Sequence, residues 1–291
     1  MVSKLEIIAG QIRDRIHNHD PDHGGVFLEV TGSPGSGKTS SMLSMIRTIM
    51  KEHPDEKIFF SNTYFAPMQS LRIGMENHKI LIKRGAKVTF HDRDKRLKQI
   101  YPKITYFSDF DELYDSAEAG KINAVFFGNR AEWRKFLHYL RSVGEWCHVC
   151  FDEFGEVAPA HKAGKEYWNI GKFSDDLKEV RKCMINVFEN TQSVTDIDFR
   201  VRTKIMVFIY LPGARANKNG RVTQAAIDNL DLNRKKGNEA YLEFSGRFGK
   251  LRFRDIFPPA KQHWEARIPE VLEGEEDEQK GNESASSKSD S

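Results

Sequence analysis

The segment TGSPGSGKTS, Thr31 to Ser40, has the residue types and spacing needed to hold a row of phosphates. Gly32, Gly37, Lys38 and Thr39 satisfy G-x-x-x-x-G-K-[ST] without a mismatch. In such a loop the stretch Gly32, Ser33, Pro34, Gly35, Ser36, Gly37 lets successive backbone N–H groups converge on phosphate oxygens. Lys38 then reaches the β and γ phosphates, and the Thr39 hydroxyl is placed to ligate Mg²⁺. Ser40 continues into a helix whose N-terminus adds partial positive charge. ATP and Mg²⁺ are the cofactors this pattern calls for.

A second group lies in HVCFDEFGE, where an apolar run leads into Asp152 and Glu153. Two acids at the end of a core strand suit two different tasks beside a phosphate chain. Asp152 is placed to hold Mg²⁺, and Glu153 to polarise the water that attacks the γ phosphate. Paired acids favour hydrolysis over phosphoryl transfer to a small molecule. The third group is INVFENTQ, a strand that ends at Gln192, within reach of the γ phosphate or its water if this strand neighbours the one bearing Asp152.

The flanking sequence supplies the elements that must position these groups. GVFLEVTG reads as a buried strand running into the loop, and KTSSMLSMIRTIMKEH places apolar residues at helical spacing after it. Strands are expected at KIFFSNTY, KVTFHD, KITYFSD, NAVFFGN, HVCFDE, INVFENTQ and KIMVFIYLP, with helices at Arg130 to Ser142 and Ser174 to Lys182. A helix at Lys4 to His17 precedes them, and a hairpin at AYLEFSGRFGKLRFRDIF follows. This alternation predicts an α/β fold with a mainly parallel central sheet. The expected organisation is an N-terminal helix and linker over 1–24, an ATPase domain over 25–258 and a C-terminal extension over 259–291. Within the domain, 79–107 reads as a basic β-hairpin inserted into the sheet, and the acidic end from about 273 reads as disordered.

Charge is distributed unevenly. Leu71 to Lys103 holds ten Lys or Arg against three Asp or Glu, whereas Val271 to Ser291 holds two against seven. Basic residues at Arg84, Lys87, Arg93, Lys95 and Arg96, and at Arg215, Lys218, Arg221, Arg234, Lys235 and Lys236, are candidates to grip a polyanion. No apolar run reaches the length that crosses a bilayer, and the N-terminus lacks a signal-peptide pattern, so a cytoplasmic protein is expected, in the host cytoplasm if viral. Cys147 and Cys150 have CxxC spacing but sit in the apolar run WCHVCF and read as buried strand residues. His17, His19 and His23 read as solvated loop residues, not as metal ligands.

Taken as a set, the glycine loop, the strand ending in Asp-Glu, a helix with a basic end, a strand closing on Thr-Gln and the following DIDFRVR resemble the FtsK/HerA superfamily of DNA-pumping ATPases, over roughly Gly25 to Pro212. That group includes viral genome-packaging ATPases and Zot-like morphogenesis proteins. The resemblance implies a RecA-like core of the ASCE type, a hexamer-like ring of identical subunits, a Gln sensor at Gln192 and an arginine that reaches a neighbour's nucleotide. Arg181, Arg200 and Arg202 are all placed for that last role, with Arg181 favoured. It also implies double-stranded DNA as the load, with a capsid or conjugation partner. A Zot-like assembly ATPase acting on protein partners is the alternative, and a nucleotide or small-molecule kinase is the third.

Overall fold

The computed structural model describes residues 24–62, 68–92, 104–160, 162–191, 194–217, 220–232, 239–252 and 264–267. The expected N-terminal helix, His17, His19, His23 and the acidic end lie outside them. The elements run β1 (Phe27–Thr31), α1 (Lys38–Glu52), β2 (Lys57–Ser61), β3 (His78–Lys83), β4 (Thr89–Asp92), β5 (Ile104–Phe107), α2 (Phe110–Ser116), β6 (Ile122–Phe126) and α3 (Ala131–Val143). They continue through β7 (Cys147–Asp152), α4 (Gly164–Glu179), β8 (Ile185–Thr191), α5 (Phe199–Arg202), β9 (Val207–Tyr210), α6 (Gln224–Leu232), β10 (Glu239–Phe244), β11 (Arg247–Arg252) and β12 (Trp264–Arg267).

Ten strands form one sheet in the order β11-β10-β9-β1-β8-β7-β2-β6-β3-β5. From β9 to β5 every pairing is parallel, and the β10/β11 hairpin adds an antiparallel edge. Every residue of β1, β7 and β8 is buried, as expected of strands covered on both faces. Side chains alternate between two apolar layers. Phe27 of β1 lies in one layer with Phe59, Phe151, Phe154 and Phe173, its ring edge-on to Phe154 at 5.7 Å, while Leu28 and Val30 lie in the other with Met42, Leu43, Ile46 and Ile49 of α1. Each fully buried side chain of this size stabilises the fold by roughly 1.5–3 kcal/mol.

Because β1, β7 and β8 are parallel, their carboxyl ends share one edge of the sheet. β8 lies between β1 and β7, pairing Thr31 with Thr191 and Asp152 with Asn190. This is the RecA-like order, in which a strand separates the loop strand from the acid-bearing strand.

Two expectations are corrected. Residues 79–107 do not form an inserted hairpin: β3 and β5 pair in parallel within the main sheet, so a crossover joins them, and β4 within it pairs antiparallel with β12. The apolar run of β3 is near-continuous and buried because β6 and β5 flank it, a signature of an interior parallel strand. The helix expected from Ser174 begins instead at Gly164. Its inward residues Ile170, Phe173 and Leu177 keep helical spacing, but the exposed Tyr167 and Trp168 break the apolar pattern upstream. Cys147 and Cys150 are both buried, with their thiols pushed up by desolvation. An odd separation on a strand sends them into opposite layers, so they cannot act as a pair.

Candidate nucleotide-binding and hydrolysis site

Gly37 caps α1 in the left-handed region at φ 97°, a conformation glycine adopts without penalty, and this turn swings the chain from the loop into the helix. Gly32 is required by contact: a Cβ there would lie 2.5 Å from Ser36 Oγ and 2.9 Å from Leu211 Cβ. The loop is anchored to the exit of β9, where Ser33 N donates to Pro212 O over 3.2 Å. Lys38 Nζ folds back on the loop and donates to Gly32 O at 2.9 Å and Ser33 O at 3.3 Å. Desolvation depresses the Lys38 ammonium below its ordinary pKa, and Glu153 and Asp152 work against that shift.

Thr39 Oγ1 donates to Asp152 Oδ1 at 3.0 Å, so the helix start and the end of β7 meet directly. The residue that organises them was not singled out from the sequence: it is Asn190, two positions before Gln192. Its Nδ2 donates to Asp152 Oδ1 at 2.7 Å and lies 3.4 Å from Thr39 Oγ1, while its Oδ1 accepts from Glu153 N at 3.0 Å. One amide on β8 thus orients both acids and the threonine. Glu153 itself has φ 72°, a left-handed conformation costing a non-glycine residue roughly 1–3 kcal/mol. The Asn190 bond to its N–H helps hold that turn, which directs the chain from β7 into the short turn Phe154–Glu156.

A second unforeseen residue is Arg72, from the turn Gln69–Ile73, which donates to Ser40 Oγ at 2.8 Å and feels the charge of Asp152. Nothing in its local sequence marks it. Gln192 lies outside the described residues, one position beyond β8, and β8 does neighbour the strand bearing Asp152. Arg181 sits in the turn Val180–Lys182, at the start of β8 and so at the opposite edge of the sheet, roughly 20 Å of strand from the site. Arg200 is held by Asp198, and Arg202 exerts its charge on the buried Glu29.

Glu29 and Glu189 form the other buried polar feature behind the loop. They are register partners on β1 and β8, each 0% exposed and, among the described residues, with no hydrogen-bond partner for either carboxyl oxygen. Burial raises Glu29 to about 8 against the pull of Arg202, and burial with the charges of Glu29 and Glu153 raises Glu189 well above the carboxylate range. The folded protein therefore retains a Glu29 proton that the unfolded chain releases near its ordinary value of 4.5. Stability falls as pH rises through this interval and levels off above about 8. Glu29→Gln is expected to flatten the decline of Tm between pH 5 and 8; parallel curves for the two proteins in thermal melts would contradict it.

The donors around Thr39 and Asp152 are hydroxyl and carboxylate oxygens, the set that a hard divalent cation such as Mg²⁺ prefers. With the glycine loop on a helix N-terminus, the paired acids and the strand order, fold and site define a class: a P-loop NTPase with a RecA-like core.

No protein-family model and no curated protein matches this chain. Among solved structures, the chain is similar to the genome packaging NTPase of Sulfolobus turreted icosahedral virus 2 in complex with AMPPCP, at 10% identity and TM-score 0.48, over 81% of this chain and 100% of that one. It is similar to the N-terminal domain of zonular occludens toxin from Neisseria meningitidis at 17% identity and TM-score 0.39, over 81% and 100% of the two chains. A DnaB-like replicative helicase aligns at 12% identity and TM-score 0.42, over 80% of this chain and 57% of the helicase. The assignment to the RecA-like class stands on the strand order and the site itself.

Proposed function

We propose that this chain is a Mg²⁺-dependent ATPase that assembles into a ring and uses hydrolysis to move double-stranded DNA. The observation that carries hydrolysis is the network Thr39, Asp152, Asn190 and Glu153, which aligns an acid pair on the edge where the glycine loop would hold phosphates. Thr39 and Asp152 would hold Mg²⁺, which when bound neutralises charge on the β and γ phosphates. Loop N–H groups bind the phosphate chain, and Lys38 exchanges its two carbonyl contacts for phosphate oxygens. Glu153 takes a proton from the attacking water as its oxygen bonds to the γ phosphorus, and ADP leaves with the bridging oxygen. Asn190 acts through Asp152 and Glu153 as a positioning residue.

The load is inferred from charge and from the resemblance to DNA-pumping ATPases. Lys87 and Arg215 are exposed basic residues on connections beside the sheet, and Arg84, also exposed, lies 3.5 Å from Glu112. Arg93, Lys95, Arg96, Lys218, Arg234, Lys235 and Lys236 lie outside the described residues. Among the described residues no helix is long and apolar enough to cross a membrane.

The deciding measurement is ATP hydrolysis with and without duplex DNA across a salt series, paired with the mass of the ATP-bound complex. The rate should rise severalfold with DNA, lose that increment as salt rises, and accompany a mass that is a multiple of the monomer. A rate indifferent to DNA, with a monomer in ATP, would remove the translocase reading; capture of a coat or membrane protein instead would favour the Zot-like alternative.

A further inference from the structure

The described residues carry one cluster of exposed aromatic side chains that takes no part in the network at Thr39, Asp152 and Glu153. Trp168 is 70% exposed, Phe199 59% and Tyr167 38%, contributed by α4 and α5. Arg200 joins them: its guanidinium lies 3.8 Å from the Tyr167 ring and 6.0 Å from the Phe199 ring. It is held there by Asp198, through Nε and Nη2 at 2.9 Å each, and by Tyr167 O at 3.0 Å. Ser174 Oγ, from α4, donates to Arg200 O at 2.9 Å and closes the assembly. The patch is therefore ordered before anything binds to it.

Its charge indicates what it takes. Lys165, Trp168 and Lys172 are spaced i, i+3, i+7 and share one face of α4. Lys162 precedes the helix and Lys204 follows α5; among the described residues none of these four lysines has an ion-pair partner. The acids within the patch are already engaged, Glu166 with Arg134 and Asp198 with Arg200, and Asp175 ends the basic stretch one turn beyond Lys172. A tryptophan flanked by unpaired lysines is poorly suited to the centre of a protein interface, which is depleted in lysine. It is well suited to a polymer that offers a flat ring and a phosphate together.

We propose that Tyr167, Trp168, Phe199 and the lysines around them form a nucleic-acid contact, in which Trp168 stacks on an unpaired base and Lys165 and Lys172 grip adjacent phosphates. The proposal rests on the reading of DNA as the load and adds a contact of a different kind from the duplex grip, made to an unpaired stretch of strand such as a frayed duplex end.

The position of the patch explains why such a contact matters. The chain leaving Glu153 and the chain leaving β8 pair with each other before reaching it: Ala160 N donates to Asp196 O at 2.9 Å and Asp198 N to Ala158 O at 3.0 Å. Pro159 and Ile197 form the bridge between them. A strand that pushes on Trp168 or Arg200 pushes on a unit attached to the acid pair at one end and to Asn190 at the other. Nucleic acid bound there would alter the turn at Glu153 and so the rate of hydrolysis.

The test uses the full chain with single-stranded and blunt duplex oligonucleotides. Trp168→Ala should weaken single-strand binding by about tenfold or more and abolish its stimulation of ATP hydrolysis, with the rate in the absence of nucleic acid unchanged. Trp168→Phe should restore most of both. Lys165→Ala with Lys172→Ala should lower the slope of log affinity against log salt by about 1.4 for the single strand, the value for two lost phosphate contacts. Equal affinity and stimulation in wild type and Trp168→Ala overturns the contact while leaving the load reading intact. A wild type that binds duplex but no single strand overturns the contact and leaves the load reading intact, and absence of binding to either oligonucleotide overturns both. A Trp168→Ala protein that binds oligonucleotides normally but loses its ATP-dependent mass increase identifies the patch as a subunit contact and overturns the proposal.

Discussion

Glu153→Gln is expected to bind ATP with nearly unchanged affinity and to turn it over 10²- to 10⁴-fold more slowly, the range associated with loss of a positioned general base. The substitution keeps the side chain's length and volume. It also keeps the backbone turn at φ 72°, because the bond that steadies that turn runs from the Glu153 N–H to Asn190 Oδ1. What it removes is the ability to accept a proton from water. Phosphate release measured beside equilibrium nucleotide binding separates the two quantities. A rate within a few fold of wild type would show that another group activates the water and would dissolve the role assigned to this acid. The variant is also the useful one for capturing the ATP-bound assembly, since it should accumulate whatever oligomer ATP supports.

Lys38→Ala is expected to fail one step earlier. Its ammonium is the cation within the loop itself, turned toward Gly32 O and Ser33 O. Hydrogen bonds to charged groups contribute roughly 1.5–3 kcal/mol each, so losing two phosphate contacts should weaken ATP binding by roughly 100-fold or more. The fold itself should not suffer. Lys38 is desolvated enough to depress its pKa, and its hydrogen bonds go to the Gly32 and Ser33 carbonyls, so alanine relieves a burial cost as it removes two bonds. The expected signature is a melting temperature without nucleotide that is unchanged or slightly raised, together with loss of the upward shift that ATP produces in wild type. A variant that unfolds outright, or that keeps the ATP-dependent shift, would contradict this account.

The two substitutions divide the site into its parts. Lys38 belongs to a loop whose chemistry is contained in ten consecutive residues, and Glu153 belongs to a set that exists only when three strands align. Asn190 illustrates the difference. In sequence it is a polar residue near the end of an apolar run, and Gln192 beside it carries the more suggestive side chain. In the folded chain β8 lies between β1 and β7, and that placement puts the Asn190 amide against Asp152, Thr39 and the Glu153 N–H simultaneously. Arg72 is similar, because its approach to Ser40 depends on a connection that returns across the end of α1. Glu29 and Glu189 lie 160 positions apart, and only parallel pairing in one register makes them neighbours.

What was legible in the sequence is what local chemistry determines. The glycine loop, the helix after it, the strand ending in Asp152 and Glu153 and the β10/β11 hairpin each announce themselves because turn conformation and apolar spacing are properties of contiguous residues. The tertiary structure decided the rest: that β3 and β5 are parallel sheet strands and not arms of a basic hairpin, that α4 begins at Gly164, and that Trp168 stands exposed next to a Tyr167 ring covered by Arg200. The reason is common to all of them. Strand order, direction and which side chain is left uncovered follow from how distant segments pack, and a chain read one segment at a time holds that information only in its sum.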